Sequence, residues 1–126
     1  MALPHDARPM GFLFAADMAR ACDFYRRLLG AEGSPDPFGA TLTSPAGLVR
    51  LTPAPEGWSA GPHPVHGWHV GDIGEAVDAL VGAGVTPVIY EGFGQDARGV
   101  WTSPDGAARV LWFHDSEGNL LSLTQT

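Results

Sequence analysis

The chain has no lysine: all seven of its basic residues are arginines. That removes Schiff-base chemistry, lysine general bases and the lysine of a phosphate-binding P-loop. Against those seven stand 14 acidic residues, a formal net charge of −7, which excludes nucleic acid as a partner because phosphate binding needs clustered cations. An acidic surface suits a cationic ligand, but by default it serves solubility. Cysteine is almost absent too. Cys22 is the single one, so no internal disulfide can form, and a reducing cytoplasm is the expected compartment. No apolar run approaches the ~20 residues of a membrane span, and residues 1–9 (MALPHDARP) lack the apolar stretch of a signal peptide; no membrane partner is expected. What the chain has is 44% hydrophobic residues in periodic order, enough at this length for one globular domain with a sizeable core. Gly 17 and Pro 11 stay just under the range typical of disorder.

The order takes the form of a repeat. FLFAAD (12–17) runs into a helix-like stretch, and GWHVGD (67–72) does the same; Asp17 and Asp72 are 55 positions apart, and Ala21/Ala76 and Asp23/Asp78 keep that offset. TSPAGLVRLTP (43–53) resembles HDSEGNLLSLTQ (114–125), each a turn closing on Gly47 or Gly118 before an alternating strand. Stacked arrays need about three or more copies. Two copies instead imply halves that complete each other, with function expected where they face.

Residues 10–16 (MGFLFAA) read as a strand. Asp17 is a candidate N-cap, followed by Met18, Ala21, Cys22, Tyr25, Leu28 and Leu29 at helical spacing, with Gly30 as the stop. Residues 31–39 are poorly patterned; ATLTS and LVRLT then flank a turn at Pro45-Ala46-Gly47. The four prolines of 52–64 mark a linker, bounding module 1 at about 8–52, the linker at 53–64 and module 2 at about 65–126. Module 2 repeats the plan, with a strand at 65–71, Asp72 as N-cap and Glu75 placed for a capping box. Ile73, Ala76, Val77 and Leu80 form its buried stripe, and Gly82 and Gly84 end the helix. TPVIYEG (86–92), ARGVWTS (97–103), ARVLWFH (108–114) and NLLSLTQ (119–125) are predicted strands. The fold class is α+β: β-α-β-β-β twice, with an extra strand-like piece in the second half.

DFYRRLLG (23–30), HVGDIGEAV (69–77) and FHDSEGNLLSLTQ (113–125) together resemble the vicinal oxygen chelate superfamily, which includes glyoxalase I, extradiol dioxygenases, fosfomycin-resistance enzymes and bleomycin-binding proteins. The resemblance spans nearly the whole chain. It implies paired βαβββ modules whose sheets curl around a cleft, a homodimer, and in many members metal-dependent chemistry. By that resemblance the metal-ligand positions fall on Met10, Arg50, Val65 and Ser122. Two are apolar, one is a cation and one a neutral hydroxyl, so no metal and no other cofactor is expected. Strand parity places Phe12 and Phe14 on Met10's side, Gly67 and His69 on Val65's, and Leu120 and Thr124 on Ser122's. The resemblance implies Val110, Trp112 and His114 as further inward residues. The expected cleft is aromatic, with His69, His114, Arg50 and Ser122 as sparse polar anchors and Trp101 at its mouth.

Plainer readings stand beside these. His63, His66 and His69 look like a metal cluster, but on a strand His63 and His69 lie roughly 20 Å apart with His66 pointing the other way. GWSAG (57–61) matches the G-x-S-x-G pattern, yet Ser59 sits in the Pro-rich linker with no helix after it. His69 and His114 are either general acid/base groups or hydrogen-bonding anchors. Phe12, Phe14 and Trp112 are either cleft walls or ordinary core, and Trp68 has the parity of the helix-facing side. Arg50 pairs either with an anionic ligand group or with a nearby carboxylate. Cys22, on the apolar stripe of a helix, reads as a buried, inert thiol.

The expected function is metal-independent binding of a small aromatic or planar molecule in the inter-module cleft, antibiotic-binding in kind. The alternatives are a metal-independent isomerase, lyase or cyclase on a natural-product intermediate using His69 or His114, with Arg50 steadying an oxyanion, and a ligand-free dimeric interaction module.

Overall fold

Both helices start on the same device. In a computed structural model of the protein, which describes residues 2–126, the Asp17 carboxylate accepts from the Arg20 N–H at 3.1 Å. Asp72 accepts from the Glu75 N–H at the same distance. Each cap satisfies an amide that the first turn leaves without a helical acceptor, worth about 1 kcal/mol. The first cap opens α1 (Met18–Leu29), ended by Gly30 in the left-handed region (φ 61°). The second opens α2 (Ile73–Gly82), whose first amide also donates to the Gln125 side chain at 2.7 Å. Gly82 lies inside α2 as its last residue; Ala83 caps it, and Gly84 turns away at φ 82°.

Around α1 run β1 (Met10–Ala15), β2 (Pro35–Asp36), β3 (Gly39–Ser44) and β4 (Gly47–Pro53). They form one sheet in the order β1-β4-β3-β2, with β1 parallel to β4 and the other pairs antiparallel. Around α2 run β5 (His66–His69), β6 (Trp101–Thr102), β7 (Arg109–His114) and β8 (Leu120–Gln125), in the equivalent order β5-β8-β7-β6 with β5 parallel to β8. This is the α+β plan of two βαβββ modules. The chain divides into two compact units inside the Pro-rich segment, between Glu56 and Gly57.

In each unit the helix covers one face of its sheet. Leu13, Ala15, Leu42, Val49 and Leu51 are buried together with Ala21, Cys22, Phe24 and Tyr25 of α1. Leu111, Phe113, Leu121 and Leu123 are buried together with Ile73, Val77 and Leu80 of α2. Phe24 belongs to this core although it is off the predicted stripe; its ring meets Tyr25 edge-on at 5.1 Å. Cys22 is fully buried, and desolvation pushes its thiol pKa up, so the reactive thiolate is disfavoured.

Two predicted strands are corrected. TPVIYEG (86–92) is not a strand. Pro87 has no amide to give, and its next residue makes a single rung, Val88 N–H to the Trp112 carbonyl at 2.7 Å. ARGVWTS (97–103) yields only Trp101–Thr102. The extra strand-like piece is therefore a loop spanning 83–100. Conversely, the unpatterned stretch 31–39 contains β2, and Glu32 exchanges two backbone hydrogen bonds with Thr43, at 2.9 and 2.8 Å. The predicted strand 65–71 shortens to His66–His69.

Candidate functional site

Alternation along each strand leaves one sheet face per unit without a helix over it. In the first unit that face carries Met10, Phe12 and Phe14, which are 40%, 70% and 40% exposed. Leu48, Arg50 and Thr52 are their direct partners on β4, and Thr41 and Thr43 face them from β3. Phe12 and Phe14 are thus open-face residues rather than core.

Arg50 resolves toward the nearby carboxylate. Its Nη1 donates to Asp36 Oδ2 at 2.7 Å and to Thr41 Oγ1 at 3.1 Å, and its Nη2 donates to Asp36 Oδ1 at 3.4 Å. Asp36 also accepts from the Phe38 N–H at 2.7 Å. The Arg50 hydrogen bond, followed by that of Phe38, holds the Asp36 carboxyl below the usual carboxylate range.

In the second unit the open face is built of cross-strand rows. Gly67, Ser122 and Trp112 form one, and His69, Thr124, Val110 and Trp101 the next. His114, exposed at the end of β7, pairs with Leu120. His69 shares a 2.8 Å hydrogen bond with Thr126 Oγ1 through Nε2. Gly67 is needed where it is, since a Cβ there would lie 2.6 Å from Ser122 Oγ and 2.7 Å from the Ser122 carbonyl. His66 and Trp68 point to the helix side. Their rings meet edge-on at 4.7 Å, Trp68 stacks toward Phe113 at 6.5 Å, and burial pushes the His66 imidazole pKa down. Ser59 lies in irregular chain between β4 and β5, without the strand-to-helix turn a nucleophile elbow requires.

The loop 83–100 supplies what sequence reasoning missed. Tyr90 and Phe93 pack against Trp112 at ring separations of 5.8 and 6.0 Å, both near perpendicular, and lie 5.2 Å from each other. Because Leu111 and Phe113 fill the core side, Trp112 places this three-ring wall on the open face. Gln95 holds the loop in shape: its side chain accepts from the Tyr90 N–H at 2.7 Å and donates to the Val88 and Gly99 carbonyls at 2.9 and 2.7 Å. Asp96 adds acceptors for the amides of Arg98 and Val100, and Arg98 pairs with Asp78 on α2. The available signal was the glutamine itself, a side chain with both donor and acceptor in a segment rich in glycine and short of backbone partners. Gln95→Ala is expected to cost about 1–3 kcal/mol and to increase amide hydrogen exchange across 88–99 while leaving β8 protected. Unchanged exchange at Tyr90 would refute the clamp.

The donor set at the metal positions that the family resemblance implies does not fit a divalent ion. Met10 and Val65 are apolar and exposed, Arg50 is a guanidinium already paired with Asp36, and Ser122 offers one neutral hydroxyl. Among the described residues, no three His, Cys, Asp or Glu side chains are grouped so as to hold a metal ion. Nor is any helix among them long and apolar enough to cross a membrane.

Comparison with known proteins agrees with this architecture. A glyoxalase/bleomycin resistance protein/dioxygenase protein from Alicyclobacillus acidocaldarius superimposes with a TM-score of 0.70 at 18% identity, over 99% of this chain and 94% of that one. The genomically encoded fosfomycin resistance protein FosX from Listeria monocytogenes gives 0.69 at 11% identity, over 96% and 93%. TioX from Micromonospora sp. ML1 gives 0.62 at 23% identity, over 95% and 96%. At these identities the likeness establishes the fold. Nothing among curated proteins matches the chain. The sequence profile of the Glyoxalase/Bleomycin resistance protein/Dioxygenase superfamily matches residues 7–123, and the chain is a member of that superfamily.

Proposed function

We propose that this chain binds a small planar or aromatic molecule on its open sheet faces, without a metal ion, in the manner of an antibiotic-binding protein. The observation that carries this reading is the wall of Tyr90, Phe93 and Trp112, held by Gln95 on the same face as Ser122 and His69. Rings fixed in place, Phe93 exposed and Tyr90 and Trp112 half-buried, favour stacking, because little freedom is lost when the ligand arrives. The donor set at Met10, Arg50, Val65 and Ser122 supports metal independence. The fosfomycin resistance protein among the structural neighbours supports an antibiotic-directed role. A homodimer is proposed from the family resemblance, and exposed apolar side chains outside the face of Met10, Phe12 and Phe14, such as Val81 and Ile89, are of the kind that favours association.

The test is equilibrium binding of aromatic antibiotics and natural-product intermediates to the intact protein, followed by recovery of the ligand and native mass spectrometry. Unchanged ligand, a two-chain mass and no stoichiometric divalent ion are expected. Turnover of the bound compound would instead favour the isomerase, lyase or cyclase reading. In that case His69→Asn with His114→Asn would abolish turnover and spare binding.

A further inference from the structure

Resting on that ring-binding reading, we infer that Arg50 is a flat stacking platform for an uncharged, electron-rich planar ring, and not a receptor for an anion. Three of the five N–H donors of its guanidinium are committed. Both Nη1 hydrogens are committed, one to Asp36 and one to Thr41, and Nη2 completes a two-pronged pair with the same carboxylate. An incoming carboxylate could reach only the Nε–H and the second Nη2–H, beside an Asp36 that the Phe38 amide anchors at 2.7 Å. It would also meet the charge of Asp36 itself, in a chain carrying a net −7.

The geometry of the faces points the same way. A Cβ on Gly39 would lie 3.2 Å from Arg50 Nη2 and 3.3 Å from Cζ, with no other guanidinium nitrogen nearer. A point beside the Nη2–Cζ bond in the guanidinium plane would approach a neighbouring nitrogen more closely. Near-equal distances without that approach place it over the plane. One face of Arg50 therefore lies on bare glycine backbone. The side chain retains 21% exposure, so it is not fully covered. Phe12 is the direct cross-strand partner of Arg50 on this side of the sheet, so a ring laid over the guanidinium continues onto an exposed phenyl. Guanidinium planes stack on aromatic faces in a way that the ammonium of lysine does not reproduce.

The test uses 2-naphthol and 2-naphthoate, which share a ring system and differ in charge at neutral pH. They are titrated into the full chain, wild type and Arg50→Lys, at low and physiological salt, with NMR readout of the Arg50 Nε–H. 2-Naphthol is expected to bind more tightly than 2-naphthoate and to shift the Nε–H upfield by ring current. Arg50→Lys is expected to weaken 2-naphthol about three- to tenfold although the charge is kept. Tighter, salt-sensitive binding of 2-naphthoate with a downfield Nε–H would overturn the inference, and that readout needs no variant to fold. Binding of 2-naphthol that leaves Arg50 unshifted and perturbs only Trp112 would overturn it too, while sparing the ring-binding reading. Failure of both compounds to bind the wild type would overturn the two together.

Discussion

Asp115→Ala is expected to lower stability by about 3 kcal/mol, seen as a shift of the urea midpoint with little change in slope. Asp115 is 6% exposed and Asn119 is 4% exposed. The carboxylate accepts from the Glu117 and Asn119 amides at 2.8 and 2.9 Å, and from Asn119 Nδ2 at 2.8 Å. Alanine would leave these donors facing an apolar methyl, and each uncompensated buried group costs about 1–3 kcal/mol, reduced where water reaches it. The matched position in the first unit is a built-in control. Ser44 accepts only the Ala46 amide, at 3.1 Å, among the bonds seen to its hydroxyl, and donates to the Gly47 carbonyl at 3.2 Å. Ser44→Ala should cost about 1 kcal/mol. Equal losses at both positions would contradict a special role for the buried carboxylate. The consequence reaches the site, because this turn joins β7, which carries Trp112, to β8, which carries Ser122.

The D-x-x-G-N turn was legible in the sequence because it is local: its donors and acceptors lie within four residues of one another. The same holds for the capping aspartates and for Gly30, whose φ of 61° suits a residue without a side chain. Strand parity also carried through. Knowing that Leu13 and Ala15 face the helix sets Phe12 and Phe14 on the other side, and Leu111 and Phe113 set Trp112 likewise. Parity gives a face, but not what else arrives on it. Tyr90 and Phe93 reach Trp112 from a loop whose path depends on three hydrogen bonds of Gln95, and no periodicity records such a path. The partner of Arg50 stayed open for the same reason. Asp36 is fourteen residues away in a stretch with no pattern, brought in by the two-residue strand β2. TPVIYEG misled because β-branched residues favour strands only when a neighbouring edge accepts them. Here β6 occupies that edge at Val110, leaving Val88 one rung at Trp112.

The duplicated plan also shows where the two units diverge. α1 passes to β2 through residues 30–34, whereas α2 reaches β6 only after 83–100. The first unit fills the outer part of its open face with a salt-bridged hairpin, and the second with an aromatic loop. Caps, strand order and closing turns are shared because each unit needs them to fold. Ring-bearing and charge-bearing segments differ because nothing in the folding of one unit requires them of the other.

Gly39→Ala is expected to be a strongly damaging methyl addition on the first unit's open face. The residue has φ 150°, and a Cβ would stand 2.2 Å from the backbone carbonyl oxygen of Leu51. That oxygen belongs to β4, held in register by Ala40↔Leu51 and Thr41↔Arg50, so it cannot swing aside as a side chain would. Backbone strain for a non-glycine residue in such a region is about 1–3 kcal/mol, and forced separation of the strands adds a comparable amount. A loss of about 4 kcal/mol follows, a large share of the stability of a domain this size. Gly57→Ala separates the two terms. Gly57 has φ 80° with nothing within 4 Å of its Cβ position, so only the strain applies, about 1 kcal/mol. The Gly39 variant should also lift the Arg50 guanidinium, whose Nη2 and Cζ would lie 3.2 and 3.3 Å from the new methyl. At temperatures where it still folds, the Arg50–Asp36 pair should loosen and the Asp36 carboxyl pKa should move back up toward its ordinary value. An NMR titration of Asp36 that is identical in the Gly39 variant and in the wild type would show that the guanidinium does not rest on this glycine.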